Sequence, residues 1–195
     1  PRLAWAWDTP STPDLEAYFD RLKIKLPEGY VTEVNLAMRS WIGDAAAVLN
    51  PGFLVVIDYG RPAWQYYDPE RTEGTLRGFR QHEVRRDVLA PGVGDITADV
   101  DFTSLALDGR AAGLEPLAFM ELGPFLMQGA RAILDQGDFK AAAPAGLRYL
   151  VHPEGMGSAF HVLVMGKGLS PTDWMFEHNR LARLGLTKND EEDLC

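Results

Sequence analysis

Residues 52–60 read Gly-Phe-Leu-Val-Val-Ile-Asp-Tyr-Gly, and the apolar run Phe53–Ile57 constrains the fold more than any other stretch. The run has no polar alternation, is rich in β-branched side chains, and is bounded by Pro51-Gly52 and Gly60. Such a run predicts a strand covered on both faces, as strands of parallel α/β sheets are. Asp58 and Tyr59 fall at its carboxyl end, the end beyond which open α/β sheets bind ligands. An ionisable residue there is either functional or a loop-capping device.

The flanking sequence supplies helices and further strands. Leu3, Trp5 and Trp7 alternate with Arg2, Ala4 and Ala6, which predicts a half-buried strand. Ser11 or Thr12 then caps a short helix over Asp14–Leu22. Tyr30–Val34 reads as a strand feeding Asn35, the N-cap of a helix over Leu36–Leu49 that Asn50-Pro51-Gly52 ends. Helix followed by buried strand is half of a βαβ repeat, and the pattern returns downstream. Asp101 caps a second helix that stops at Gly113, and Leu114–Met120 follows as a strand. Phe125–Leu134 and Ala141–Leu150 are helical, Ala159–Met165 is a last apolar strand, and Pro171–Leu186 predicts a short amphipathic helix anchored by Trp174 and Phe176. The expected organisation is one domain over residues 1–186 and a disordered acidic tail over 187–195.

Between the central strand and the second helix lie residues 61–100, about forty positions, too long for an ordinary connection and therefore expected to be structured or functional. Unusual chemistry gathers there: Tyr66, Tyr67, Arg71, Arg77, Arg80, Gln81, His82, Arg85 and Arg86. The arginines are interleaved with Glu70, Glu73 and Glu83, which favours internal ion pairing over a nucleic-acid patch. The net charge of −9 also excludes the basic footprint of a general nucleic-acid binder. His82 has no second histidine near it in sequence, which gives a metal site little support. Gly92-Val93-Gly94 and Gly166-Lys167-Gly168 are GxG fragments outside any strand–GxGxxG–helix setting and read as turns. A single cysteine, Cys195, excludes a disulfide framework and fits a reducing, cytoplasm-like compartment. No apolar run reaches membrane-spanning length, and no secretory signal opens the chain. Pro1 stands where an initiator methionine would, so the expectation is a piece of a longer polypeptide.

Four stretches in order carry a resemblance. They are Gly29-Tyr30-Val31-Thr32-Glu33-Val34, then 52–60, then Gly74-Thr75-Leu76-Arg77-Gly78-Phe79-Arg80-Gln81-His82, then Pro91-Gly92-Val93-Gly94-Asp95-Ile96-Thr97-Ala98-Asp99-Val100-Asp101-Phe102. Together with Met156-Gly157 before Phe160-His161-Val162-Leu163, they span roughly residues 28–168 and resemble the MidA-like family of S-adenosylmethionine-dependent methyltransferases. The third and fourth are the distinctive ones. Mitochondrial members of that family are arginine methyltransferases acting on a respiratory complex subunit.

The resemblance implies a fold: the C-terminal part of a class I methyltransferase (Rossmann-like) α/β sheet, with a long insertion after the central strand. Phe53–Ile57 then becomes the fifth strand, Leu114–Met120 the sixth and Ala159–Met165 the antiparallel seventh. It implies S-adenosylmethionine as methyl donor, a protein substrate, and a cytoplasmic location, or the mitochondrial matrix in a eukaryote. The family's glycine-rich cofactor loop and ribose-holding acid precede these motifs. Nothing in this chain matches them, so the cofactor loop is expected upstream of Pro1 and none of these residues is assigned to the cofactor. A guanidinium substrate requires carboxylates that orient its planar fork. Asp58, Tyr59, His82 and Asp95 are therefore the candidate catalytic residues, and Glu33, Arg77, Gln81, Thr97 and Asp99 the candidate substrate-binding residues. The competing reading is a non-catalytic partner-binding or assembly protein that retains a methyltransferase-like half.

Overall fold

The computed structural model describes residues 4–80, 83–85, 92, 94–135, 145–169 and 178–186. Its centre is a four-stranded sheet in the order β5-β1-β7-β6. Strand β1 (Gly52–Arg61) grows from the apolar run, β5 (Val100–Asp101) lies parallel to its end, and β7 (Phe160–Lys167) runs antiparallel between β1 and β6 (Glu115–Glu121). The implied mapping is met: β1 and β6 point the same way and the last strand is inserted between them, reversed. The register places Asp58 opposite His161, Tyr59 opposite Phe160 and Gly60 opposite Val100.

Alternation along the strands assigns the two faces. On one face Leu54, Val56, Leu163, Met165 and Phe119 pack under α2 (Met38–Val48) and α4 (Phe102–Ala111), whose Ile42, Phe102 and Leu105 are almost fully buried. On the other, Val162, Val164, Ala118 and Met120 pack under α5 (Leu122–Asp135) through Leu122, Phe125 and Leu126. The outer edge of β6 is zipped by residues 179 and 180. The Asn179 side chain accepts from the Phe119 amide at 3.1 Å and donates to the Leu117 carbonyl at 2.9 Å, and the Arg180 amide donates to the Phe119 carbonyl at 2.7 Å.

Three expectations need correction. The central strand is covered on one face only: Phe53, Val55 and Ile57 remain 37%, 44% and 44% exposed, because α5 lies over β6 and β7. Tyr30–Val34 is not a strand. Among the described residues its ladder contact is an isolated parallel bridge from Val31 to Glu73, and it turns at Gly29 (φ +81°) to hold the insertion rather than the sheet. Residues 4–7 form no strand, and Trp5 and Trp7 stand 69% and 91% exposed. The capping details shift as well. Thr12 Oγ1 accepts from the Asp14 amide ahead of α1 (Asp14–Leu22), whereas α2 starts after Ala37, with the Asn35 carbonyl, not its side chain, accepting from Met38. Of Pro171–Leu186 the described part contains one 3₁₀ turn, Leu181–Leu184; Trp174, Phe176, the stretch 141–144 and the tail 187–195 lie outside the described residues.

The insertion is structured, as its length demanded. It opens with the single turn α3 (Ala63–Tyr66) and continues into a small antiparallel sheet, β3-β2-β4, made of β2 (Arg77–Arg80), β3 (Glu83–Arg85) and β4 (Asp95–Thr97). Tyr66 and Tyr67 pack with Tyr18 and Ala63 in a third cluster that fastens α1 and the insertion together. Through this cluster runs a polar chain: Tyr67 donates to the Tyr18 hydroxyl at 3.1 Å, and Tyr18 donates to Asp101 Oδ2 at 2.7 Å. Burial holds both phenols above their ordinary range, so they remain neutral donors. Tyr18→Phe removes a charge-assisted bond and leaves a buried carboxylate short of a partner, at a cost of about 2 kcal/mol. In a domain of this size that lowers Tm by roughly 4–8 °C. Tyr66→Phe, whose hydroxyl contacts are 3.3 and 3.5 Å long, should lower it by less than half as much in the same calorimetric scan.

Candidate functional site

Several segments converge at the carboxyl end of β1. Gly60 permits this, because a Cβ there would lie 2.2 Å from the Val100 carbonyl and block the approach of β5. With β5 alongside, Asp99 is delivered beside Arg61, whose Nε stands 3.7 Å from Asp99 Oδ2. Because β7 is antiparallel, its first residues arrive at this same end. The rings of Tyr59 and Phe160 sit with centroids 4.0 Å apart. A cavity of about 800 Å³ opens here, its wall including Glu33, Tyr59, Arg61, Arg77, Asp99 and His161.

Glu33 anchors the insertion's side of this cavity. Its carboxylate accepts from the Thr75 amide at 2.9 Å, the Thr75 hydroxyl at 3.0 Å and the Leu76 amide at 3.1 Å. Gly74 makes the clamp possible twice over: its φ is +70°, and a Cβ would meet Glu33 Oε1 at 2.5 Å. Thr75 Oγ1 in turn accepts from the Asp99 amide at 2.9 Å. Arg77 extends from the next strand and donates to Asp99 Oδ1 at 2.6 Å and to the Thr75 carbonyl at 3.1 Å. Its guanidinium lies 5.1 Å from the Tyr59 ring centroid and 5.9 Å from that of Phe79.

His161 forms part of the opposite wall. Its ring stacks on Phe119 at 5.2 Å with 9° between planes, and its Nδ1 is buried without a hydrogen-bond partner. Burial pushes its pKa below the ordinary histidine value, against the opposing pull of Glu121. The imidazole is therefore held neutral, a state able to accept a proton.

Of the candidates read from the sequence, Glu33, Tyr59, Arg77 and Asp99 come together around the cavity. Asp58 does not line it: the side chain lies on the α2/α4 face of β1, half-buried, and its Oδ1 accepts from the Tyr59 amide at 2.7 Å. Asp95 is exposed on β4 opposite Phe79, and Thr97 pairs with Arg77 in the ladder; neither lines the cavity. Gln81 and His82 lie outside the described residues. Asp101 is the helix cap that its position predicted, accepting from the Thr103 and Ser104 amides at 2.9 and 3.2 Å. The sequence reading missed His161, Thr75 and Arg61. For His161 the available signal was topological: an antiparallel closing strand begins where the central strand ends.

Close packing marks the elements next to the strand-to-helix turns: a Cβ at Gly60 would meet Val100 and Phe102, one at Gly123 would meet the Val151 carbonyl, and the β5–α4 turn is closed by its own capping carboxylate. Among the described residues no helix is long and apolar enough to cross a membrane.

Two outcomes follow from this geometry. Gly74→Ala must either displace Glu33 or strain the backbone, and should cost about 1–3 kcal/mol in denaturant unfolding. His161 contributes a pH dependence of fixed sign. With its folded pKa lowered, the unfolded chain takes up the proton first as pH falls, so this contribution to stability is present near neutrality and is lost below the ordinary histidine pKa. His161→Phe should flatten the fall in Tm between about pH 7 and 5.

Comparison with known proteins agrees with the geometry. The model of the family described as "Putative S-adenosyl-L-methionine-dependent methyltransferase" (Methyltransf_28) matches residues 1–120. The mitochondrial protein arginine methyltransferase NDUFAF7 of Rattus norvegicus is 34% identical over 128 residues, covering 58% of this chain and 26% of the relative. The human protein of that name is 39% identical over 71 residues, covering 35% of this chain and 14% of the relative. A crystal structure of a COG1565 superfamily member from Burkholderia thailandensis bound to S-adenosyl-homocysteine superimposes with a TM-score of 0.77 at 29% identity, over 91% of this chain and 47% of that one. A second structure of a COG1565 superfamily protein from the same organism gives 0.75 at 31% identity, over 89% and 48%. The chain thus spans about a quarter of the rat relative and about half of the solved chains. A fold reproduced over nine-tenths of its length and a family model matching its first 120 residues converge on one assignment: the chain belongs to the Methyltransf_28 family of S-adenosyl-L-methionine-dependent methyltransferases.

Proposed function

We propose that this chain supplies the substrate-facing portion of an S-adenosylmethionine-dependent protein arginine N-methyltransferase. The carrying observation is the cavity at the carboxyl end of β1, where a buried carboxylate, Asp99, and two aromatic faces, Tyr59 and Phe79, surround a guanidinium. Family membership and the names of the curated relatives support the reading. S-adenosylmethionine brings an already activated methyl group, and its binding is assigned to parts of the protein outside these residues. The work of this chain is to orient the acceptor and exclude water around it. Asp99 and Tyr59 are proposed to hold the acceptor, Glu33 and Thr75 to hold the loop that carries Arg77, and His161 to take up the proton that the acceptor nitrogen releases. Asp58, Asp95 and Thr97, which do not line the cavity, are proposed to position neighbouring backbone. The partner proposed is a protein, and more narrowly a respiratory complex subunit, encountered in the cytoplasm or, in a eukaryote, the mitochondrial matrix.

The reading is tested in the full protein with methyl-labelled S-adenosylmethionine and mass-spectrometric identification of the product. The expected product is methylarginine. Asp99→Asn should lower kcat/KM at least about tenfold, roughly 1.4 kcal/mol of barrier, with cofactor affinity unchanged. Methyl found on lysine, on a carboxylate or on no acceptor would sink the reading, and partner binding without transfer would favour a non-catalytic assembly role.

A further inference from the structure

A planar cation against aromatic faces, with a carboxylate at its edge, is how proteins recognise a guanidinium. In this chain the recognition set is complete and already filled by Arg77. Its side chain is 20% exposed, facing the cavity, while the Asp99 side chain it holds is 8% exposed. The bond uses one oxygen of Asp99; among the described residues the other faces Arg61 Nε at 3.7 Å, beyond hydrogen-bond reach. Resting on the reading above, we propose that Arg77 is the resting occupant of the acceptor subsite: the slot formed by Tyr59, Phe79 and Asp99 takes the guanidinium of a protein arginine, and Arg77 yields to it.

Two features set this apart from a simple brace. The loop is already held without Arg77, through Glu33 on the Thr75 and Leu76 amides and Thr75 Oγ1 on the Asp99 amide. And a brace needs only the carboxylate and the Thr75 carbonyl, not ring faces opening on a large cavity. The exchange also has a physical logic. A buried carboxylate left unpaired is costly, so an enzyme with a deep acceptor carboxylate benefits from a cation that neutralises it between substrates. A one-for-one swap of guanidinium groups leaves the charge on Asp99 matched throughout.

The experiment uses the full protein with N-acetyl-arginine-amide as probe, titrated calorimetrically. Arg77→Ala should bind the probe at least about tenfold more tightly than wild type, N-acetyl-citrulline-amide should not bind, and Asp99→Asn added to Arg77→Ala should abolish the gain. With the same probe as methyl acceptor, KM should fall in Arg77→Ala by a comparable factor, which a mere hole left by a lost brace would not produce. Arg77→Gln is the second variant, retaining a polar side chain at the Thr75 carbonyl. The proposal is overturned if either variant, folded by near-ultraviolet circular dichroism, binds the probe no better than wild type, if binding tightens without a fall in KM, or if neither variant folds. Methyl transfer by wild type to a group other than arginine overturns the functional reading instead, whatever the titration shows.

Discussion

The carboxylate of Asp101 is the contact through which the separate parts of this fold are joined. It ends β5, caps α4 through the Thr103 and Ser104 amides, takes the Ser104 hydroxyl at 2.8 Å, and receives the Tyr18 hydroxyl from a helix more than eighty positions earlier in the sequence. Burial pushes its pKa up while these donors pull it down. Such a group stabilises only when every acceptor position is matched, because an incompletely paired buried charge is worse than none. The insertion depends on it too, since Tyr67 reaches Asp101 through Tyr18. With β5 fixed in this way, Asp99 two residues earlier has little freedom, and the cavity wall is set from the core outward.

The sequence made legible whatever is encoded by local period and punctuation. The capping role of Asp101 was readable because an acidic residue stands directly before a helical run, and the stop at Gly113 because glycine relieves a positive φ, here +81°. The central, sixth and closing strands were readable as apolar runs between turn residues. What failed were inferences from pattern to environment. The unbroken run Phe53–Ile57 encodes a strand suited to burial on both faces, but cover depends on where α5 lies, which no local pattern states. Tyr30–Val34 has strand-forming residues, yet the polar demand of Glu33 for the Thr75 and Leu76 amides draws the segment to the insertion.

The candidate site divides along the same line. Residue types were readable: carboxylates, arginines and tyrosines gathered in one stretch. Their pairing was not, because Arg77 meets Asp99 only once β2 and β4 adopt their register, and Glu33 meets Thr75 across 42 positions of sequence. Asp58 illustrates how a local bond decides between neighbours: Tyr59 lines the cavity, whereas the Asp58 carboxylate accepts from the Tyr59 amide and does not line it. His161 entered for the complementary reason, reaching this end of the sheet through chain reversal rather than sequence proximity.

The two outer edges of the sheet are treated differently. Asn179 and Arg180 dress β6 with a borrowed amide and a backbone bond. On β1, β5 pairs only with Gly60 and Arg61, and among the described residues nothing pairs with the same edge along 52–59, beside the exposed row of Phe53, Val55 and Ile57. A long apolar edge with free amides and carbonyls is a template on which any extended peptide can crystallise a new strand, including the same edge of a second molecule. Among the described residues, the stretch left open to a further strand thus lies on β1, the strand that defines the fold.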